Sequence, residues 1–434
     1  MHNRRLHVWM DGIFIGILQM SATGALSFEY DSEYAANPDA TPLSLSMPLQ
    51  GRNFGNRVVS AFLQGLLPDN PNALESMARK YQVSKDSPFA MLRHVGRDVA
   101  GALQIIGPEE QSDDANADRA MVTALDDAAL TQELHNVIST YDNGALFQGV
   151  QRMSLAGTQA KLGVSQTKDG GWALPSHGVP TTHIFKPQRV GQTSFPESDI
   201  VELFCQRVVS AAGIPAASTT LWNSEDGSLR AIVSERYDRL RMPDGTFRRT
   251  HQEDLCQALS VQPAKKYQRD EGGPGIGQIG RLLTTKISPI DTGIATRQFL
   301  VALTANAALL NTDAHAKNYS LMLAGPSVKL APMYDVLSFG TFLQDGVHPL
   351  FPMRLGKGFD LEQVFPKTMV GEAARLRIGK DEAETIISKT LTGIDMALDH
   401  TAEEMAQFDY DGIITRTVEA IREHSALLKS CREA

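Results

Sequence analysis

The chain is poor in cysteine. Its three thiols, Cys205, Cys256 and Cys431, are an odd number, far apart and without a C-x-x-C pair. That spacing removes a disulfide framework and a zinc cluster, and a reducing, cytoplasmic setting is expected. Long apolar runs are missing too. The longest, Phe299 to Leu310, has 12 residues and contains Thr304 and Asn306, whereas a bilayer-spanning helix needs about 20; no membrane partner is expected. Positive charge is in deficit, with 41 Lys and Arg against 50 Asp and Glu, a net charge of −9. Such a surface does not act as a whole as a nucleic-acid footprint, although a local basic patch is compatible with it. A secretory leader is also unexpected: Arg4 and Arg5 precede apolar residues, but Asp11-Gly12 splits RRLHVWMDGIFIGIL into two alternating halves, the pattern of a β-hairpin.

What is present is ordinary globular material. The 434 residues are 42% hydrophobic and 21% charged, and at ~150 residues per domain they make two or three units with ample core. From Leu6 to about Ile106 short strand-like runs and turns surround one amphipathic helix near Val58 to Leu67. GPEEQSDDANADRA, Gly107 to Ala120, reads as an acidic surface loop. Between Arg152 and Arg239 the pattern is α/β. HIFKP (His183 to Pro187) is a strand, Glu197 to Gly213 is a helix closed by Gly213 with Pro215 beyond, and Ser218 to Arg239 is a strand, an Asp226-Gly227 turn and a strand. After about Thr250 apolar residues recur at helical spacing, as in Ile387, Ile394 and Leu398 or Ile414, Val418, Ile421 and Leu428. A domain boundary is expected near residues 240 to 252.

Two glycine motifs mislead. Gly275, Gly277 and Gly280 match G-x-G-x-x-G, but the preceding KKYQRDEGGP is polar and turn-forming, where a dinucleotide site needs a buried strand. A turn leading into a helix around Gln278 to Leu283 is the better use. A Walker A loop is absent, because Gly157 is followed by lysine at +4, Lys161. SLAGTQAKL (Ser154 to Leu162) still places small residues where backbone N–H groups could face a phosphate, with a lysine in reach; the plain alternative is a turn between strands.

The stronger signal is NTDAHAKN (Asn311 to Asn318) followed by KLAPMYDV (Lys329 to Val336). Asp313 and Asn318 are five apart, the separation of base and metal-binding asparagine in the kinase loop H-R-D-x-x-x-x-N. Asp335, 17 residues further on, ends a strand-like run, where a second metal carboxylate would sit. Mg²⁺ takes oxygen ligands and keeps several waters, so one carboxylate, one amide oxygen and nucleotide phosphates complete its shell. An aspartate, with an ordinary pKa of ~3.9, is a weak base that can still orient a hydroxyl and take its proton late in a loose transition state. The alternative is a helix cap, a turn and a solvated strand end. His315 lacks a second histidine at ligand spacing and reads as structural, and Lys317 could neutralise phosphate or simply be exposed. Lys186, on a strand, could contact α- and β-phosphates, held by Glu202 on the next helix, or be a surface lysine. Glu235 and Tyr237 could present an adenine hinge or pack between domains.

Taken together, these strings resemble the HipA family of bacterial serine/threonine kinase toxins. The matching segments are PLSLSMPL (Pro42 to Leu49), LLPDNP (Leu66 to Pro71), VGRDVAGAL (Val95 to Leu103), SLAGTQAKL, VPTTHIFKP (Val179 to Pro187), ERYDR (Glu235 to Arg239), QEDLCQ (Gln252 to Gln257), KYQRDEGGPGI (Lys266 to Ile276), TDAHAKN and APMYD, in family order over nearly the whole chain. The resemblance implies an α+β, two-domain kinase-like fold: an N-terminal α/β domain, residues 1–250, and a C-terminal all-helical catalytic domain, residues 251–434, with an ATP cleft between. Within the first, 1–106 would be a β-rich subdomain and 107–250 the phosphate-loop and nucleotide-binding lobe.

The resemblance further implies roles. Asp313 would be the catalytic base, with Asn318 and Asp335 holding Mg²⁺. Lys186 would contact ATP phosphates, Glu235, Arg236 and Tyr237 would meet the adenine, and Ala156, Gly157, Thr158, Gln159, Ala160 and Lys161 would form the phosphate loop. His315, Ala316, Lys317 and Tyr334 would line the same nucleotide site. Ser154 would be autophosphorylated, which expels that loop and silences the kinase. Arg375 and Arg377 fall near a family position that touches operator DNA. The implied cofactors are ATP and Mg²⁺. The implied partners are a HipB-like helix-turn-helix antitoxin, operator DNA through the antitoxin complex, and a protein substrate of the aminoacyl-tRNA synthetase type, glutamyl-tRNA synthetase first, whose phosphorylation halts charging and leads to growth arrest and persistence. The competing class is a non-catalytic, nucleotide-loaded co-repressor that braces a DNA-binding antitoxin.

Overall fold

The computed structural model describes residues 4–110, 112, 122–146, 154–175, 179–192, 194–343, 346–364 and 366–430. Most of the stretch expected as an acidic loop, and Cys431, lie outside them. The chain forms two compact units. The first comprises Met1–Val190, Thr220–Ala264 and Met322–Pro326, and the second Gly191–Thr219, Lys265–Leu321 and Ser327–Ala434.

The first unit opens with the expected hairpin, strands Arg5–Met10 and Ile13–Met20. Asp11 and Gly12 take φ of 46° and 82°, the positive values that a two-residue turn needs to match strand twist. A five-stranded antiparallel sheet is built on it in the order Asn53–Phe54, Leu26–Tyr30, Ile13–Met20, Arg5–Met10, Leu103–Ile106. Its inward residues Leu6, Val8, Ile15, Leu18 and Phe28 share a core with Phe62, Phe89 and Leu92 from helices Asn56–Gly65 and Pro88–Val95. Helices Pro71–Tyr81 and Pro88–Val95 stand where only strands and turns were expected. Each begins with a side-chain cap, Asn70 or Ser87, followed by proline, a start signal that outweighs the short apolar alternation.

A second sheet runs Thr219–Asn223, Leu229–Glu235, His183–Arg189, Leu162–Gln166, Trp172–Pro175, Val122–Leu125. Helix Asp127–Asn143 covers it, with Leu130, Leu134, Val137 and Ile138 against Leu162, Phe185, Leu229 and Val233. The Asp226-Gly227 turn is present, with Gly227 at φ 70°.

Several of the family-like strings hold one another. The Glu253 carboxyl accepts the Leu45 N–H at 2.8 Å and bonds the Ser44 hydroxyl, while the Ser46 hydroxyl donates to Gln257 O at 3.1 Å. Thus PLSLSMPL is seated on QEDLCQ. Asp98, from VGRDVAGAL, joins Asp238, Arg236 and Arg239 in a fully buried ion cluster: Arg239 Nη2 meets Asp98 Oδ1 at 2.7 Å, and Arg236 Nη2 meets Asp238 Oδ2 at 2.8 Å. Burial alone would raise the Asp98 carboxyl, but Arg239, Arg236 and Arg249 hold it below the usual range.

The second unit is built on helices Ser198–Ala211, Ile276–Thr285, Pro289–Ala308, Pro366–Arg375, Lys380–Glu404 and Ile413–Ser430. Gly213, at φ 74°, closes the first as expected. The 12-residue apolar run lies mainly in Pro289–Ala308, whose buried residues include Phe299, Leu300 and Leu303. Gly275 caps Ile276–Thr285, so the G-x-G-x-x-G stretch does lead into a helix. Gly280 is needed for packing, since a Cβ there would lie 2.4 Å from the Arg375 carbonyl oxygen. The expectation that everything after residue 250 is helical fails. Strands His251–Asp254, Ser320–Ala324, Ser327–Leu330, Leu350–Leu355 and Gly358–Asp360 occur there. Gly325 and Gly356, at φ 56° and 62°, make tight reversals between short runs that helical periodicity does not register.

Candidate active site

In the second unit, helix Pro289–Ala308 gives way to a turn in which Leu310 has φ 55° and the Asn311 N–H returns to Asn306 O at 2.9 Å. Asn311 is buried, and its amide organises the loop beyond it. Its oxygen accepts the Asp313 N–H at 3.2 Å, and its Nδ2 donates to Asn306 Oδ1 at 2.9 Å and to Asp335 O at 3.4 Å. One side chain therefore ties the Asp313 loop to Asp335, 24 residues beyond Asn311. Asp335 itself sits at φ 58°, a left-handed geometry that aspartate tolerates better than most residues.

The loop closes on itself between residues five positions apart. Asp313 O accepts the His315 N–H at 2.7 Å and Asn318 Nδ2 at 2.8 Å, and the Asn318 N–H donates to His315 O at 2.9 Å across the 3-10 turn Ala316–Asn318. With Nδ2 so used, the amide oxygen is the atom of Asn318 that could serve as an oxygen ligand. Asp313, Asn318 and Asp335 are half-buried, while His315, Ala316 and Lys317 are buried. Tyr334 donates to Lys317 O at 2.7 Å and shares a 2.7 Å bond with the Ser320 hydroxyl, fastening the chain before Asp335 to the loop's exit. Oxygen donors from Asn318 and Asp335 on a braced frame suit a hard cation such as Mg²⁺. His315 is held far below its ordinary value, to about 3, by burial and then by Lys266, against the pull of Asp335.

Sequence reasoning gave no role to two neighbours. The Tyr267 phenol donates to Asp313 Oδ1, and its ring meets the His315 ring edge-on at 4.8 Å and 77°. Lys266, buried, lies with Nζ 5.5 Å from the Tyr267 centroid. Their approach depends on glycine, because a Cβ on Gly273 would lie 2.0 Å from Lys265 O. The GGP in KYQRDEGGPGI was the available signal.

The first unit carries most of the remaining expected residues. The loop of Ala156, Gly157, Thr158, Gln159, Ala160 and Lys161 is braced by LLPDNP: Pro68 bridges Gly157, the Asp69 N–H donates to Gly157 O at 2.9 Å, and Asn70 Nδ2 to Thr158 O at 3.2 Å. Gly157 has φ 114°, Lys161 Nζ donates to Ala156 O at 3.0 Å, and Thr158 and Gln159 are exposed. Ser154 is buried; its N–H donates to Asp98 O at 3.0 Å and its hydroxyl has no partner among the described residues. Lys186 is buried on His183–Arg189, opposite Ile232. Glu202, buried on Ser198–Ala211, belongs to the other unit. Glu235 is exposed and Tyr237 donates to Gln252, but Arg236 turns its guanidinium into the buried ion cluster, so that side chain serves the interior. In the second unit Arg375 and Arg377 are exposed, Arg375 Nε pairing with Glu372 at 2.9 Å.

Comparison with known proteins gives the class. The model of the HipA-like C-terminal domain matches residues 153–398, and that of the HipA N-terminal domain matches residues 6–106. The chain belongs to the HipA family. Among curated relatives, "Putative kinase Y4mE" of Sinorhizobium fredii is 34% identical over 364 residues, 83% of each chain. "Serine/threonine-protein kinase toxin HipA" of Shewanella oneidensis is 27% identical over 347 residues, 77% of this chain and 75% of the relative. The solved complex of Shewanella oneidensis HipA, HipB and operator DNA contains a chain with the same fold, at TM-score 0.76, 21% identity and 99% coverage of both chains. No helix among the described residues is long and apolar enough to cross a membrane.

Proposed function

We propose that the chain is an ATP- and Mg²⁺-dependent serine/threonine protein kinase and the toxin of a HipA/HipB-type module. The observation that supports this most is the loop carrying Asp313 and Asn318, tied through Asn311 to Asp335, in a chain whose curated relatives are named as kinases. Asp313 takes the proton of an acceptor serine or threonine hydroxyl as its oxygen bonds the γ-phosphorus and ADP departs. Asn318 and Asp335 would hold Mg²⁺, which when bound neutralises phosphate charge. His315, Ala316, Lys317 and Tyr334 line the nucleotide site. In the first unit, Lys186 and the Ala156–Lys161 loop are the proposed phosphate-binding residues, and Glu235 and Tyr237, with only the main chain of Arg236 between them, the proposed adenine-binding ones.

The acceptors are the chain's own Ser154 and a translation component of the glutamyl-tRNA synthetase type, with growth arrest and persistence as the outcome. Buried Ser154 must leave its place to react, so its phosphorylation displaces the loop. A HipB-like antitoxin is the partner, and operator DNA is met through it, with the exposed Arg375 and Arg377 as candidate DNA contacts. The second reading, a nucleotide-loaded co-repressor without catalysis, draws on the fold shared with a HipA chain solved with HipB and operator DNA. Incubation with Mg²⁺ and γ-labelled ATP separates the two. Label on Ser154 in the wild type and none in Asp313→Asn supports the kinase; tight ATP binding without label in either, and no toxicity without antitoxin, supports the co-repressor.

A further inference from the structure

We infer that Tyr267 is a positioning residue for the phosphoryl-transfer reaction, its phenol fixing the rotation of the Asp313 carboxylate; the inference rests on the kinase reading above. The backbone of Asp313 is held by Asn311 and Asn318, but those bonds leave the side-chain torsions to be set by what touches the carboxylate. The Tyr267 phenol touches it at Oδ1, from a residue 46 positions earlier in the chain.

Tyr267 is itself held from several sides. Its carbonyl accepts the N–H groups of Gly273 at 3.0 Å and Glu271 at 3.3 Å, and its N–H donates to Glu271 Oε2 at 3.1 Å. The chain can return this tightly because Gly272 takes φ 68° and Gly273 has no Cβ to strike Lys265 O. The ring is then pinned against His315 on one side, with the Lys266 ammonium on another. A phenol so anchored does not trade its hydrogen bond for water, and the acceptor hydroxyl meets a carboxylate of fixed orientation. Proton transfer depends steeply on that geometry.

The test uses the full chain as wild type, Tyr267→Phe and Tyr267→Leu. Steady-state ADP release with Mg²⁺ gives kcat and the KM for ATP, and single-turnover transfer of labelled γ-phosphate gives the rate of the chemical step. A non-hydrolysable ATP analogue gives nucleotide affinity, and a thermal melt gives stability. Phe keeps the ring against His315 and removes only the hydroxyl, so kcat is expected to fall on the order of ten- to a hundredfold, with KM, analogue affinity and melting temperature as in wild type. Leu, which also loses the ring contact, falls further. An unchanged kcat in Tyr267→Phe would overturn the inference by leaving Tyr267 a packing residue. A raised kcat would overturn it by placing the phenol in the acceptor's seat. A fall matched by weaker nucleotide binding or an earlier melt would make it a structural strut. An inactive wild type brings down the kinase reading itself, whereas an active wild type equalled by Tyr267→Phe brings down only the inference.

Discussion

Replacing the carboxyl of Glu253 by the amide of glutamine should stabilise the first unit, and increasingly so as pH rises. Burial pushes this carboxyl up to about 8 from an ordinary 4.5, the Leu45 N–H and the Ser44 hydroxyl pulling it back only in part and Asp254 adding to the rise. The folded chain therefore keeps a proton that the unfolded chain has released. Stability from this group is fully present below pH 4.5 and is lost as pH climbs toward 8, at about 1.4 kcal/mol per pH step. Glutamine reproduces the shape and the bonds, its Oε1 accepting from Leu45 and its Nε2 donating to Ser44, and it has no proton to lose. Between roughly pH 5.5 and 7.5 the stability difference, Glu253→Gln minus wild type, should grow by about 3 kcal/mol. His251 nearby, held down to about 4 by burial, drives the opposite trend at lower pH, but it is common to both proteins and cancels in the difference. Urea unfolding followed by tryptophan fluorescence is the assay, because Trp9, Trp172 and Trp222 all lie in the first unit. A difference that stays flat with pH, or a glutamine variant less stable than wild type at pH 7.5, would refute the reasoning.

Other contacts make their own demands. Asp98→Asn leaves the buried guanidiniums of Arg236 and Arg239 with Asp238 as their remaining carboxylate partner in the cluster; a loss of about 3–5 kcal/mol is expected, read as a lower urea midpoint by the same fluorescence. Gly273→Ala puts a methyl 2.0 Å from Lys265 O and should displace Tyr267, cutting phosphoryl transfer while the tryptophan-monitored unfolding of the first unit is unchanged. Asp313→Asn should abolish label incorporation with nucleotide binding retained, measured by filter assay and calorimetry.

The parts of the site that were legible in sequence are those made by local chain. Asp313 and Asn318 could be paired from their spacing because the loop between them closes by its own hydrogen bonds. Hairpin turns at Asp11-Gly12 and Asp226-Gly227 were legible because positive φ demands those residue types. Tyr267 was not, because its bond to Asp313 spans 46 residues and arises from a glycine-permitted fold-back with no periodic signature. The helices after Asn70 and Ser87 were hidden by weighing apolar spacing over capping. The short strands Leu350–Leu355 and Gly358–Asp360 were hidden within text dominated by helical repeats. Arg236 shows a different limit: its string suggested a ligand, but its side chain completes an ion cluster with Asp98, 138 positions away.

The route of the chain through its two units, switching after Val190, Thr219, Ala264, Leu321 and Pro326, bears on how such a protein is made. No single cut separates the halves, so neither can be obtained as one uninterrupted fragment. During synthesis the segment bearing Asp313 emerges long before helices Lys380–Glu404 and Ile413–Ser430 that complete its own unit. The unit that carries Asp313 is therefore complete only once the last helices have left the ribosome.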